Sequence, residues 1–154
     1  MDSGLEDIAA IVLGFDHDKF TLEVPIYYLE EWSKSPTKPS AAANYEKNRL
    51  QDKHPANVKK KLYDQLENAG LVRNGYLPEV KWYIHHYCHA ISAHLASPYQ
   101  DALGIVVDAN SEIDTVSVWD CHGTNIEKIY SKPLPHSLGW LYRSFTLFCG
   151  FDAY

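Results

Sequence analysis

The sequence lacks the features of a secreted or membrane-spanning protein. Its three cysteines (Cys88, Cys121 and Cys149) are odd in number, widely spaced and without a CxxC pair, which argues against a disulfide framework. No apolar run reaches the roughly 20 residues that a membrane-spanning helix requires. The opening Met1–Asp7 stretch is acidic, whereas a secretory signal peptide is basic. These absences predict a cytoplasmic protein in a reducing compartment, without a membrane partner.

The chain also lacks a net positive charge. Its net charge is −6 over 154 residues, so the composition gives no reason to expect a nucleic acid as partner. Residues 46–61 are the exception, with six Lys or Arg against two acids. This stretch is either a basic patch for an anionic ligand or, more commonly for such runs, a solvated helix face. With 45% apolar residues, the composition predicts a single domain over residues 1–154 with a core of its own.

The spacing of apolar residues predicts an α/β fold. Strands are predicted at residues 8–13, 80–84, 102–107, 115–119 and 125–130. Helices are predicted at residues 57–69, 86–96 and 137–148, the last with Ser137 as its N-cap. Residues 33–40 contain two prolines and are predicted to form a loop. This order favours a mixed sheet with flanking helices.

Histidines are concentrated in one predicted helix. Four of the eight fall within residues 85–94, and His85 and His89 are spaced one helical turn apart. Two imidazoles on one face can bind a single metal ion, although histidines also satisfy core hydrogen bonds. The pattern is not the zinc metalloprotease signature, because His86 stands where a glutamate base is required. Any metal site therefore needs a further ligand from another element.

Two other groups could meet a metal or a phosphate. Asp108 and Glu112 lie where a predicted strand runs into a polar turn, a position that turn-forming acids also occupy. Ser137 opens a predicted helix whose free N–H groups can bind an anion, although Ser137 can equally be an ordinary cap.

Taken in order, these motifs carry a family resemblance. They are His-His-x-x-His-Ala-x-Ser-Ala from residue 85, the acids at 108 and 112, and Pro-His-Ser-Leu-Gly from residue 135, followed by Thr146 and Cys149-Gly150-Phe151. The set resembles the O-carbamoyltransferase family, the enzymes of nodulation-factor and antibiotic carbamoylation. The resemblance covers roughly residues 80–151 and is most specific in the last block.

The resemblance implies both a fold and an activity. It implies the N-terminal part of an actin- and sugar-kinase-like domain, built from ribonuclease-H-like halves. It also implies that carbamoyl phosphate and ATP yield a carbamoyl-adenylate, whose carbamoyl group passes to the hydroxyl of a small-molecule acceptor. By motif position, His85 and His89 would hold an iron or zinc ion. Asp108 and Glu112 would border the phosphates, and Ser137 would cap the adjacent helix.

The sequence departs from the family pattern in three ways. The family opens with a glycine-rich strand and a His-Asp-Ser-Ala stretch, of which residues 13–18 are only faintly reminiscent. The sequence reads Asp108-Ala109-Asn110-Ser111-Glu112, whereas the family has Asp-Gly-x-Gly-Glu. The family's further aspartate ligand would lie beyond Tyr154, so we expect this chain alone to be a truncated portion without transferase activity. One alternative is a non-catalytic fragment that binds a metal or associates with another chain through unpaired sheet edges. Another is a relative of the threonylcarbamoyl-transferase subunit that acts on tRNA, against which the Pro-His-Ser-Leu-Gly block argues.

Overall fold

The structure is a computed structural model that describes residues 5–34, 48–72 and 74–152. The chain divides into two compact units, residues 1–83 and 84–154. Both units combine strands with helices, which confirms the predicted α/β class. Most of the predicted loop at residues 33–40 lies outside the described residues.

Unit 1 contains a parallel pair of strands and two described long helices. A 3-10 turn at Leu5–Asp7 precedes strand β1 (Ala10–Leu13), helix α1 (His17–Ser33), helix α2 (Pro55–Asn68) and strand β2 (Glu79–Trp82). Strands β1 and β2 pair in parallel, with Ile11 opposite Val80. The strands and α2 confirm the elements predicted here, with α2 beginning two residues earlier than expected.

Helix α1 was not among the predicted elements. It contains Pro25, a residue that ordinarily breaks a helix because it lacks an N–H group and its ring crowds the preceding turn. Its buried side chains nevertheless recur at helical spacing, since His17, Phe20 and Val24 are at most 5% exposed. Burial of this stripe outweighs the cost of the internal proline.

Unit 2 contains helix α3, a three-stranded sheet and a final helix. In order these are α3 (His85–Ala96), β3 (Asp101–Val107), β4 (Asp114–His122), β5 (Asn125–Pro133) and α4 (Leu138–Phe148). The three strands form an antiparallel meander in the order β3-β4-β5. Strand β4 extends beyond its predicted end to His122, next to a turn at Gly123, which adopts a φ of 57°. Strand β5 begins at Asn125 as predicted and extends beyond its predicted end to Pro133. One mixed sheet was predicted. The described strands instead form two sheets, a parallel one in unit 1 and an antiparallel one in unit 2.

The core of unit 2 lies between α3 and the sheet. It consists of Ala90 from α3, Val106 from β3 and the β4 residues Trp119 and Cys121. Alternate residues of β4 are buried, as the period of a half-buried strand requires. Strand β3, predicted to be buried throughout, is covered on the α3 face only. Its outer face is exposed at Leu103, Ile105 and Val107.

Replacing Trp119 with alanine tests the importance of this core. Trp119 is 4% exposed, and its indole N–H donates to Ser117 Oγ at 2.7 Å. Trp119→Ala is expected to lower the free energy of unfolding by about 3–5 kcal/mol, because it leaves a cavity and removes the hydrogen bond to Ser117. Urea denaturation followed by circular dichroism measures this loss. Tyr142→Ala, at a position 77% exposed, is the control and is expected to change stability by less than about 0.5 kcal/mol.

The contact between Asp101 and His122, at one end of the β3-β4 pair, predicts that stability depends on pH. His122 donates to Asp101 at 2.7 Å and lies 3.0 Å from Asp120. The hydrogen bond to Asp101, followed by the charge of Asp120, raises the pKa of His122 above 6.5. Its small stabilising contribution is therefore present below pH 6.5 and is lost as the pH rises through the raised pKa. An NMR titration is expected to give a pKa that falls toward 6.5 in Asp101→Asn, and an unchanged value in that variant would contradict this pairing.

Candidate metal centre

The helical period of α3 divides its four histidines between two faces. His86 and His94, with Ala90 between them, point into unit 2 and are buried. Residues four apart lie on the same side of a helix, so His85 and His89 share another, more open face. The cluster that is continuous in sequence therefore separates into two structural histidines and two that are accessible to a ligand.

The buried pair makes hydrogen bonds typical of a protein interior. His86 Nδ1 lies 2.8 Å from Ser117 Oγ, and His94 Nε2 donates to the carbonyl of Gly123 at 2.9 Å. Burial, which outweighs several nearby carboxylates, lowers the pKa of His86. His86 is therefore neutral at physiological pH and acts as a core residue.

His85 and His89 bring two imidazole nitrogens together. Their Nε2 atoms are 3.1 Å apart, and the ring centroids are 4.5 Å apart in an edge-to-face arrangement. The predicted pairing of these residues on one helix face is confirmed. Its role in metal binding is taken up below.

A carboxylate from the sheet completes the group. Asp108 follows directly after β3, and its Oδ2 atom lies 3.0 Å from His85 Nε2. Its other oxygen, Oδ1, accepts the Ala109 N–H at 2.6 Å, which fixes the orientation of the carboxylate. One ligand atom from each of His85, His89 and Asp108 lies within 4.8 Å of the others. Two imidazoles and a carboxylate are a donor set used by zinc and non-haem iron centres.

Glu112 reaches the same helix by a different contact. Its Oε1 atom accepts the backbone N–H of His85 at 3.1 Å, and its side chain is 2% exposed. The structure places this oxygen at the N-terminus of α3, and the predicted contact of Glu112 with phosphates stays a prediction. The neighbouring Cys88 has a raised pKa, caused by burial and then by the charge of Glu112, and so remains a thiol.

Ser137 joins helix α4 to the end of β3. Its hydroxyl accepts the Trp140 N–H at 3.0 Å, which confirms the predicted N-cap. The same hydroxyl donates to the Ala109 carbonyl at 2.6 Å. The residue that begins α4 therefore also holds the residue next to Asp108.

Gly139 is a site residue that the sequence analysis did not single out. A Cβ atom built on it would lie 2.5 Å from the Ala109 nitrogen and 2.7 Å from the Asp108 carbonyl carbon. Only glycine allows the first turn of α4 to approach this backbone so closely. Its place in the Pro-His-Ser-Leu-Gly block was the available signal, but the close approach itself depends on tertiary structure.

The basic stretch of residues 46–61 contributes ordinary surface contacts within unit 1. Each of its described cations contacts an aromatic ring or a carboxylate of that unit: Arg49, Lys53, Lys59, Lys60 and Lys61. These contacts favour the solvated helix face over a dedicated anion site.

Comparison with known proteins gives two findings. A family model described as the carbamoyltransferase N-terminus matches residues 4–154. An uncharacterized protein of Synechocystis sp., sll1178, is 34% identical over 96 residues, which is 62% of this chain and 16% of that protein. The chain thus spans a small part of the length of this relative.

Among the described residues, every helix is too short or too polar to cross a bilayer.

The contact at Gly139 can be tested by adding one methyl group. Gly139→Ala is expected to lower the free energy of unfolding by about 1–3 kcal/mol, because backbone atoms of Asp108 and Ala109 must move. Thermal or urea denaturation measures the loss. Gly104→Ala is the matched control, since a Cβ atom there meets its nearest neighbour, Cys121 Sγ, at an ordinary 3.5 Å. Equal stability of the two variants would contradict the close approach.

Proposed function

The chain belongs to the carbamoyltransferase N-terminus family, and from this premise we propose that it forms a metal- and phosphate-binding part of such an enzyme. In the proposed reaction, carbamoyl phosphate and ATP give a carbamoyl-adenylate, with release of inorganic phosphate and pyrophosphate. The carbamoyl group then passes to the hydroxyl of a small-molecule acceptor, with release of AMP. The observation that carries the proposal is the convergence of His85, His89 and Asp108 within the stretch that the family model matches.

The geometry of these residues suits a divalent ion such as zinc or iron. Ligand atoms bound to one such ion at about 2.1 Å lie about 3.0–3.4 Å from one another. The separations from His85 Nε2 to Asp108 Oδ2 and to His89 Nε2 are 3.0 Å and 3.1 Å. These three residues would hold the ion, which when bound would supply a Lewis acid and a template for phosphate oxygens.

Asp108 is better suited to the metal than to the phosphates it was expected to border. A carboxylate repels a phosphate, whereas it complements a cation. The Ala109 N–H is already bonded to Asp108 Oδ1, so it does not point toward an incoming phosphate. The replacement of the family's glycine at position 109 is consistent with this use of the backbone.

Helix α4 supplies the anion-binding element in this proposal. The first N–H groups of a helix lack partners within the helix and carry a partial positive charge. Ser137 and Gly139 hold the start of α4 against Ala109, the residue after Asp108. We therefore place the phosphate groups of ATP or carbamoyl phosphate between the histidine face of α3 and the N-terminus of α4.

Cobalt binding tests the proposed metal ligands. Co²⁺ replaces zinc or iron in such sites and reports coordination through its absorption spectrum. The wild-type chain is expected to bind one Co²⁺, and His85→Ala, His89→Ala and Asp108→Ala are each expected to weaken binding at least on the order of a hundredfold. His122→Ala removes an exposed histidine elsewhere in unit 2 and is the control. Equal affinity in all four variants would exclude these ligands.

Phosphate binding is tested on the same cobalt-loaded protein. Paramagnetic Co²⁺ broadens the ³¹P resonances of molecules bound close to it. ATP or carbamoyl phosphate is expected to show broadening with wild-type protein that disappears in His89→Ala. Cobalt binding without such broadening would instead favour the non-catalytic metal-binding fragment.

A further inference from the structure

The N-terminus of α3 is capped by a residue that is distant in sequence. Ile84 occupies the N-cap position, where its hydrocarbon side chain cannot accept a hydrogen bond. Glu112, 27 residues from His85 along the chain, supplies the acceptor instead through the 3.1 Å bond to the His85 N–H. The β3-β4 loop therefore supplies the acceptor that a Ser, Thr, Asp or Asn at the N-cap position normally provides.

The carboxylate of Glu112 is buried and therefore needs a compensating partner. Burying a carboxylate is costly unless hydrogen bonds or charges compensate it. A helix N-terminus provides both an N–H donor and a favourable dipole. Because Glu112 is 2% exposed, its contact with α3 is fixed by its surroundings and is not one of many surface arrangements.

The same loop holds His85 at two points. Asp108, at the start of the loop, contacts the imidazole at 3.0 Å, and Glu112, near its end, binds the backbone N–H at 3.1 Å. The loop is itself closed, because the Asp108 N–H donates to the Thr115 carbonyl and Ser111 Oγ donates to the Asp114 carbonyl, both at 2.8 Å. The separation of Asp108 and Glu112 along the loop thus sets where the His85 ring meets the Asp108 carboxylate.

We propose that Glu112 is a positioning residue for the metal centre, acting through the backbone of His85. This inference rests on the proposed function, because it assumes that His85 and Asp108 bind the same ion. It replaces the expected contact of Glu112 with phosphate by a role in orienting a ligand.

Two variants of Glu112 separate positioning from general stability. Glu112→Ala removes the acceptor, and we expect Co²⁺ affinity to fall on the order of ten- to a hundredfold with a changed cobalt absorption spectrum. Glu112→Gln keeps an oxygen that can accept the His85 N–H, so we expect it to retain most of the affinity and the wild-type spectrum. Asp120→Asn removes one carboxylate charge from the same unit and controls for net charge.

Amide hydrogen exchange of His85 provides a readout that needs no metal. This amide is expected to be protected in wild-type protein and in Glu112→Gln, and to exchange on the order of tenfold faster in Glu112→Ala. Circular dichroism of each variant checks that the secondary structure of the whole chain is retained.

The outcomes distinguish this inference from the proposed function. Wild-type cobalt affinity and spectrum in folded Glu112→Ala would overturn the positioning role while leaving the metal site in place. Failure of the wild-type chain to bind cobalt would overturn the proposed metal centre and the positioning role with it. Fast exchange of the His85 amide in wild-type protein would exclude the cap in either case.

Discussion

The burial of one face of helix α3 is the constraint on which the candidate metal centre depends. His86, Ala90 and His94 recur every four residues and face the interior of unit 2. Once these three are buried, the helical period leaves His85 and His89 together on a face that meets the end of β3. The hydrogen bond between Ser117 and His86 therefore contributes to fixing the rotation of the helix that presents His85 and His89 on this face.

Local patterns in the sequence were sufficient to predict each described helix and strand of unit 2. Alternating β-branched residues identified β4, and Ser137 correctly identified the start of α4. Helix α1 was not predicted, because Pro25 argues against a helix in the sequence. The residues that pack against its buried side lie far away in sequence. The exposure of one face of β3 was also unpredictable, since a run of apolar residues does not reveal how many of its faces are covered.

The part of the candidate site that lies within one helix could be predicted from the sequence. Its contacts between residues that are distant in sequence could not. The pairing of His85 with His89 follows from helical geometry alone. The contact of Glu112 with a backbone N–H, by contrast, depends on the path of the β3-β4 loop. The use of Asp108 depends equally on where β3 ends relative to α3. A resemblance to a family can suggest that such residues matter, but their division between ligand, cap and phosphate contact is a property of the tertiary structure.

The close approach of Gly139 to the end of β3 has a thermodynamic consequence. Because a Cβ atom there would already overlap the Ala109 backbone, the first turn of α4 and the Asp108 residue have little room to move independently. A ligand that prefers a shifted α4 would therefore also shift the carboxylate that we propose as a metal ligand, and metal binding there would resist that shift. Such coupling is reciprocal, so in the proposed site phosphate occupancy at the N-terminus of α4 and metal affinity at the histidines would be linked.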